Sequence, residues 1–337
     1  MDRSGPAPPC EVCGTSRGQE SSKRGQRTSD KVSDVNKLRR QFYSAVAVLF
    51  VAPLLLLWGV WVEPSAATLK FIIFGAVFMF LVLVGRWDIM GYLFRPILSV
   101  LFLIICSRKG GWYAPLVATA FVAVVWLLLS RPRVTSFIEL SFPLRHGLYC
   151  VAHGGSPKII NHHAISKSQR YALDIVRLNP LGFRCSGVYP SNLKAYAIFH
   201  AVVYSPCEGV ITAVVNDQPD LLPGDMDAKQ IAGNYVVIRC AGTDALVGLA
   251  HLARGSVRVR VGDTVTAGQP LAQVGNSGHT SEPHLHIHAK RGGNSDSMLD
   301  GEGVAIRLGQ RWLIRNSLVR ALSPNRGPVN KEVQCEA

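Results

Sequence analysis

Three histidines stand in the six residues "PHLHIH" (283–288), in a chain of 337 residues that holds ten, all at or after His146. Read as a strand, the segment puts His284, His286 and His288 on one face and Leu285 and Ile287 on the other. At ~3.3 Å rise per residue, neighbours on that face lie about 7 Å apart. Two of them can border one metal ion, while the third, about 13 Å from the first, cannot reach it. His288 therefore reads as a rim residue. A solvent-facing polar strand is the plainer alternative, but three imidazoles on one face after a glycine-rich loop weigh against it. Few partners exist elsewhere. "NHHAISKSQRYALDIV" supplies His162, His163 and Asp174, and "GLAHL" supplies His251 in an apolar setting. Imidazoles with a single carboxylate suit zinc better than calcium or magnesium. Hydrolysis at such a site needs three protein ligands, an open position, and a base or electrostatic partner for water and the developing oxyanion. Asp174 sits in "YALDIV", where an unpaired carboxylate would be costly, which favours a paired or ligating role over a turn cap.

The elements that must position these groups are short. "FHAVVYSP", "EGVITAVV", "NYVVIRC", "ALVGLAHL", "SVRVRVG" and "PLAQVG" are β-branched runs, most of them bounded by Gly, Pro, Asn or Asp, which predicts an all-β sandwich or barrel from about residue 136. The N-terminal part is different. Residues 1–41 are polar and basic and are expected to be disordered on the cytoplasmic side. "FYSAVAVLFVAPLLLLWGVWV" (42–62) is uncharged and long enough for ~30 Å of hydrocarbon, and 68–84 and 111–130 are further candidate spans. The run 89–106 is broken by Arg95 and Pro96 and reads as an interfacial piece or an imperfect fourth span. Arg86, Arg95, Arg108 and Lys109 favour a cytoplasmic segment between the second and third spans, hence three spans over 42–130 with residues 136 onward outside the cytoplasm. Residues 323–337 read as a flexible tail.

"GNYVVIRC…GLAHLARGSVRVRVGDTVTAGQPLAQVGNSGHTSEPHLHIH" resembles the lysostaphin-type, LytM-like zinc metallopeptidases that cut peptidoglycan cross-links. The resemblance runs from about Phe137 to Leu322. It implies a LytM-like antiparallel all-β domain (136–322) behind N-terminal transmembrane helices, with zinc as cofactor. It further implies His286 as a zinc ligand and His251 and His284 as catalytic histidines. The family's other two ligands usually come from a His-x-x-x-Asp motif. Asp174 fits, but Arg170 stands in the histidine's place, and an upstream histidine would replace it: His163, with His162 as the alternative. On a strand these two would face opposite ways. The implied protein is a membrane-anchored endopeptidase acting on wall peptides, multi-pass in the cell (inner) membrane with its domain periplasmic or otherwise extracytoplasmic. If neither histidine reaches the metal, the domain becomes a non-catalytic scaffold or regulator of wall remodelling, working with an unknown protein partner.

The remaining features carry less. The net charge of +14 comes without an aromatic-rich basic patch or a nucleic-acid motif, and is read as unrelated to nucleic acid. "CEVC" (Cys10, Cys13) is a lone pair without a second one, while Cys150, Cys185, Cys207 and Cys240 would permit two disulfides in an exported domain. His279 reads as a solvated loop residue and Arg170 as a surface or structural ion pair. His146, His153 and His200 have no spacing that implicates them. "VRVGDTVTAGQPLAQVG" also resembles biotin- and lipoyl-carrier turns, but no lysine stands where a carrier would be modified. A transporter module is disfavoured because the spans hold no paired carboxylates or histidines.

Overall fold

The computed structural model of the chain describes residues 85–97, 100, 120, 124, 128, 134, 136–321 and 332–334. The tail 1–41 with Cys10 and Cys13, the stretches 42–62 and 68–84, nearly all of 111–130, and most of 323–337 lie outside them. Among the described residues no helix is long and apolar enough to cross a membrane.

A four-residue helix α1 (Trp87–Met90) is followed by helical residues 94–97, and residues 100, 120, 124 and 128 are helical too. From residue 136 the described chain is built mainly of strands: β1 (Ser136–Leu140), β2 (Gly147–His153), β3 (Leu173–Leu178), β4 (Val202–Tyr204), β5 (Gly209–Val215), β6 (Asn234–Cys240), β7 (Leu246–Leu252), β8 (Thr264–Val265), β9 (Pro270–Gln273), β10 (Leu285–Arg291), β11 (Glu302–Leu308), β12 (Leu318–Ala321) and β13 (Glu332–Gln334). The large sheet runs β12-β2-β3-β10-β7-β6-β5-β8, with β11 joining the far half of β10. Its pairs are antiparallel except β1 with β11, and β4 and β9 form a separate ribbon. Of the expected runs, "SVRVRVG" forms no strand. Its alternation survives without a ladder: Val259 is buried and Val257 packs on the core, while Arg258 N–H donates to Leu271 O at 2.8 Å.

Two-residue periodicity divides the sheet's work. On one face Leu285, Ile287 and Ala289 of β10 join Leu173 and Ile175, Val247 and Leu249, and Val236 and Ile238 in the main core. On the other face β10 carries His286, His288 and Lys290, all buried. Register then aligns the polar face. His153 pairs with Asp174, Asp174 with His286, and His286 with Ala250, so a single rung crosses four strands. Directly opposed residues have Cβ atoms about 5 Å apart, within reach of one another's side chains.

Strict alternation would send His251, next to Ala250, to the core side. It is instead the extra residue of a bulge: Asn234 pairs with Leu252 and Tyr235 with Ala250, and His251 takes a left-handed φ of 61°. Histidine tolerates that region better than most side chains, and the bulge re-aims its ring. Gly248, opposite His288, serves a different need. A Cβ there would collide with Met298 Sδ and approach His288 Cε1 at 3.3 Å, so the glycine lets the loop after β10 close over His288.

Of the four cysteines that would permit two bridges, Cys207 and Cys240 are joined, tying the approach to β5 to the end of β6. Cys150 and Cys185 are free and buried. Cys150 lies in β2 and Cys185 bridges to Tyr196, so each thiol is packed among its own neighbours.

Candidate metal centre

His163, Asp174 and His286 each offer a ligand atom, and these atoms lie within 4.8 Å of one another. Asp174 is contributed by β3 and His286 by β10. His163 comes from a 3-10 turn, His162–Ile165, not from a strand. Asn161 fixes that turn. Its Oδ1 accepts from the His163 N–H at 3.1 Å, and its Nδ2 donates to the carbonyls of Gly155 at 2.8 Å and Ala172 at 3.2 Å, anchoring the turn beside the start of β3. In a 3-10 turn successive side chains are about 120° apart, so both histidines stay near Asp174. His163 Nε2 is 2.9 and 3.0 Å from the two carboxylate oxygens.

A hydrogen-bond chain assigns the tautomer of His286. Met298 O can only accept, so His288 Nε2–H donates to it at 3.0 Å. His288 Nδ1 is then an acceptor, and His286 Nε2–H donates to it at 3.0 Å. His286 Nδ1 is left with a lone pair, 3.0 Å from Asp174 Oδ1. Two acceptors facing each other at that distance is an arrangement that a shared cation relieves. The donor set therefore fits a metal, and its N,N,O chemistry fits zinc. His288, expected at the rim, is instead 1% exposed and holds the ligand's orientation. The 7 Å between their Cα positions is spanned by two imidazole rings in hydrogen-bond contact.

The other two histidines face the same point. His251 Nδ1–H donates to Ser277 O at 2.9 Å, and His284 Nδ1–H to Glu282 O at 2.9 Å. Each keeps Nε2 as an acceptor, and their ring centroids are 4.8 Å apart. His284 Nε2 lies 3.5 Å from Asp174 Oδ1. Burial, with His284 beside it, pushes His251 down to about 3. Burial acts on His284 too, but Asp174 outweighs it and raises the imidazole. Burial opposes charge on Asp174, yet His163 and His284 hold its carboxyl well below the usual carboxylate range. Burial pushes His286 well down and His288 to about 4.

His153, His162 and Asp174 also lie close enough to share an ion. His153 is poorly suited to it. Arg315 Nη2 donates to its Nδ1 at 2.7 Å, and Arg86 Nη1 stands 3.3 Å from its Nε2. A guanidinium only donates, so the lone pair of the neutral ring is already engaged. Burial and the two arginines push His153 down to about 2. His162 is left against His163, with ring centroids 3.8 Å apart and the rings tilted by 40°.

Sequence reasoning missed His153, Glu282 and the arginines around them. Glu282 accepts from Arg184 Nε at 2.7 Å and Arg86 Nη2 at 3.1 Å, while its carbonyl holds His284. Only strand register and long-range packing reveal these partners. His279 is exposed on its loop, as expected, and Arg170 is exposed.

The model of peptidase family M23 matches residues 195–297, which include His251, His284 and His286 but not His163 or Asp174. No curated protein matches the chain. Among solved structures, a catalytic-domain variant of the prophage-encoded M23 protein EnpA from Enterococcus faecalis is 23% identical, covering 32% of this chain and 69% of that one at a TM-score of 0.25. A zinc-containing peptidase from Vibrio cholerae is 21% identical over 35% of this chain and 46% of its own, at a TM-score of 0.22. Lysostaphin in solution is 18% identical over 39% and 40%, at a TM-score of 0.24, so this chain spans less than half of either of the last two. The match of residues 195–297 to peptidase family M23 agrees with the antiparallel sheet and with the N,N,O donor set around β3 and β10, which suits zinc, and marks this part of the chain as LytM-like.

Proposed function

We propose that the domain is a catalytically competent zinc endopeptidase that hydrolyses peptide cross-links of cell-wall peptidoglycan, held at a membrane by the apolar stretches within 42–130. The observation that carries this reading is the complete set at one point: three convergent ligands, plus two histidines whose Nε2 atoms remain acceptors. A scaffold that had lost its chemistry would have no need to keep both carbonyl-fixed tautomers.

His163 Nε2, Asp174 and His286 Nδ1 would hold the ion. When bound, zinc lowers the pKa of water towards ~7 and polarises a carbonyl. His251 is the group best placed to take the proton as water's oxygen adds to the scissile carbonyl carbon. Its depressed pKa keeps it neutral, and Ser277 O keeps Nε2 turned inward. His284 becomes a donor only on taking up a second proton at Nε2, the form towards which Asp174 draws it, and in that form it donates to the developing oxyanion. The C–N bond then breaks, the proton passes to the leaving amine, and a carboxylate and an amine result. The buried disulfide Cys207–Cys240 supports an oxidising, extracytoplasmic location.

The test is incubation of cross-linked wall peptides with the full chain. Fragments with one new amine per cut are expected, abolished by chelator and by His286→Ala. Fragment release that persists in the variant would remove the mechanism.

A further inference from the structure

We propose that the metal centre works against the lipid surface, on a peptide presented close to the membrane, because the residues that leave the apolar stretch 68–84 also form a wall of that centre. The inference rests on the peptidase activity proposed above.

Gly85 follows that stretch directly. Its carbonyl accepts from Asn316 Nδ2 at 2.9 Å. Trp87 and Asp88 are buried at 1% and 0% exposure, and Asp88 O accepts from the Arg184 N–H at 3.0 Å. Tyr92 N–H donates to Gly182 O at 2.9 Å, and Tyr92 Oη–H to Asn316 O at 2.9 Å. Arg86 is the residue that joins membrane exit to chemistry. It pairs with both oxygens of Asp88 at 2.7 and 2.8 Å, reaches Glu282 at 3.1 Å, and stands 3.3 Å from His153. Glu282 in turn holds His284, and His153 is the rung neighbour of Asp174. An arginine at the end of an apolar run sits at headgroup level. The catalytic histidine is thus one arginine and one glutamate away from the lipid boundary.

A second feature marks the same side. Leu93, Phe94 and Ile97 are 55%, 49% and 60% exposed, and Leu181, on the loop that Tyr92 and Leu93 pack against, is 66% exposed. Phe94 also meets Phe183 edge-on at 6.4 Å. This apolar rim continues the chain that emerges from 68–84, and its occupant is the bilayer interface. Docking also constrains topology. Residues 85–97 and 136–321 lie on one side of any bilayer, so the chain between 98 and 135 crosses an even number of times or not at all. A single crossing at 111–130 would separate Arg86 from Glu282. An extracytoplasmic domain then requires an odd number of crossings between a cytoplasmic N-terminus and Gly85, so 42–62 and 68–84 do not both cross, and the count of three spans with two before Gly85 gives way.

The test uses the full chain in vesicles, with Cys10→Ser, Cys13→Ser, Cys106→Ser and Cys335→Ser. A fluorophore at Leu181→Cys should be quenched by headgroup spin-labelled lipid, and one at Val261→Cys, by the opposite edge of the sheet, should not. Equal quenching, or none at Leu181, overturns the proposal whatever the enzyme does. In a second arm, one wall peptide is tethered to lipid directly or through about twenty prolines, a stiff spacer of about 60 Å. Direct tethering should give cleavage and the long spacer its loss. Equal cleavage of both overturns membrane proximity. Failure to cut even the untethered peptide defeats the peptidase reading instead, while the quenching arm still decides the geometry.

Discussion

At the residue scale, the centre depends on which nitrogen of each histidine carries a proton. His288 never reaches the metal position, yet it sets the tautomer of His286 through the chain to Met298 O. Replacing His288 with Phe should weaken zinc binding about 10–100-fold, the usual loss when an outer-shell partner is removed. Competition against a chromogenic chelator would measure it. His288→Gln, which can still accept from His286 Nε2–H, should restore much of the affinity; equal losses in both variants would leave only a packing role. The family resemblance pointed to His251, His284 and His286 and the apolar context to Asp174, and the structure brings these side chains close together. Sequence reasoning left His162 and His163 open because alternation on a strand was assumed, whereas a 3-10 turn keeps both rings near Asp174. His288 was misjudged because Cα spacing measures reach to a metal, not contact between two long side chains. Acid should act on the same groups. His251 and His288 have folded values of about 3 and 4, below the ~6.5 of an unfolded histidine. Their stabilising contribution is therefore complete above pH ~6.5. It declines as pH falls towards 4 and 3, by about 1.4 kcal/mol per pH unit for each. Asp174, depressed, acts in the same direction; His284, raised, acts against it. Denaturant melts of metal-free protein at pH 7 and pH 5 should show clear destabilisation at the lower pH, and unchanged midpoints would contradict these burial effects.

At the element scale, one rung of a sheet does the positioning. The short β-branched runs were legible, and with them the all-β character of the domain. The register that sets His153, Asp174 and His286 side by side was not, because it depends on a bulged pairing of β2 with β3 and on pairing of β3 with β10, whose aligned residues are 112 apart in sequence. The bulge at His251 was equally hidden, since "GLAHL" reads as regular alternation. Gly248 offers a sharp check on the layer over β10. Gly248→Ala places a methyl against Met298 Sδ and beside His288. Overpacking of this kind typically costs about 1–3 kcal/mol. Thermal denaturation should show that loss together with weakened zinc binding. A stability change without an effect on zinc would mean that the loop can shift without disturbing His288.

At the scale of the whole molecule, one disulfide and one arginine tie distant parts of the chain to the site. Cys207 and Cys240 close a loop with a separation of 33 residues. A loop of that length predicts about 3–4 kcal/mol of stabilisation in the chain-entropy model. Melting with and without reductant, and of Cys207→Ala/Cys240→Ala, should show it; an unaltered midpoint would mean the bridge adds nothing. Composition made the apolar N-terminal stretches and the β-rich remainder visible, but no spacing rule could show that residues 85–97 pack on the domain. That fact alters how spans are counted, because charge bias assigns Arg86 to the cytoplasm while packing assigns it to the side of Glu282. All of these arguments converge on the ion's address. Anomalous diffraction at the zinc edge, on crystals of the purified protein, tests it most directly. The account predicts one peak bonded to His163 Nε2, Asp174 and His286 Nδ1, with His251 and His284 facing it unbound. A peak between His153 and His162, or none in fully folded protein, would contradict it.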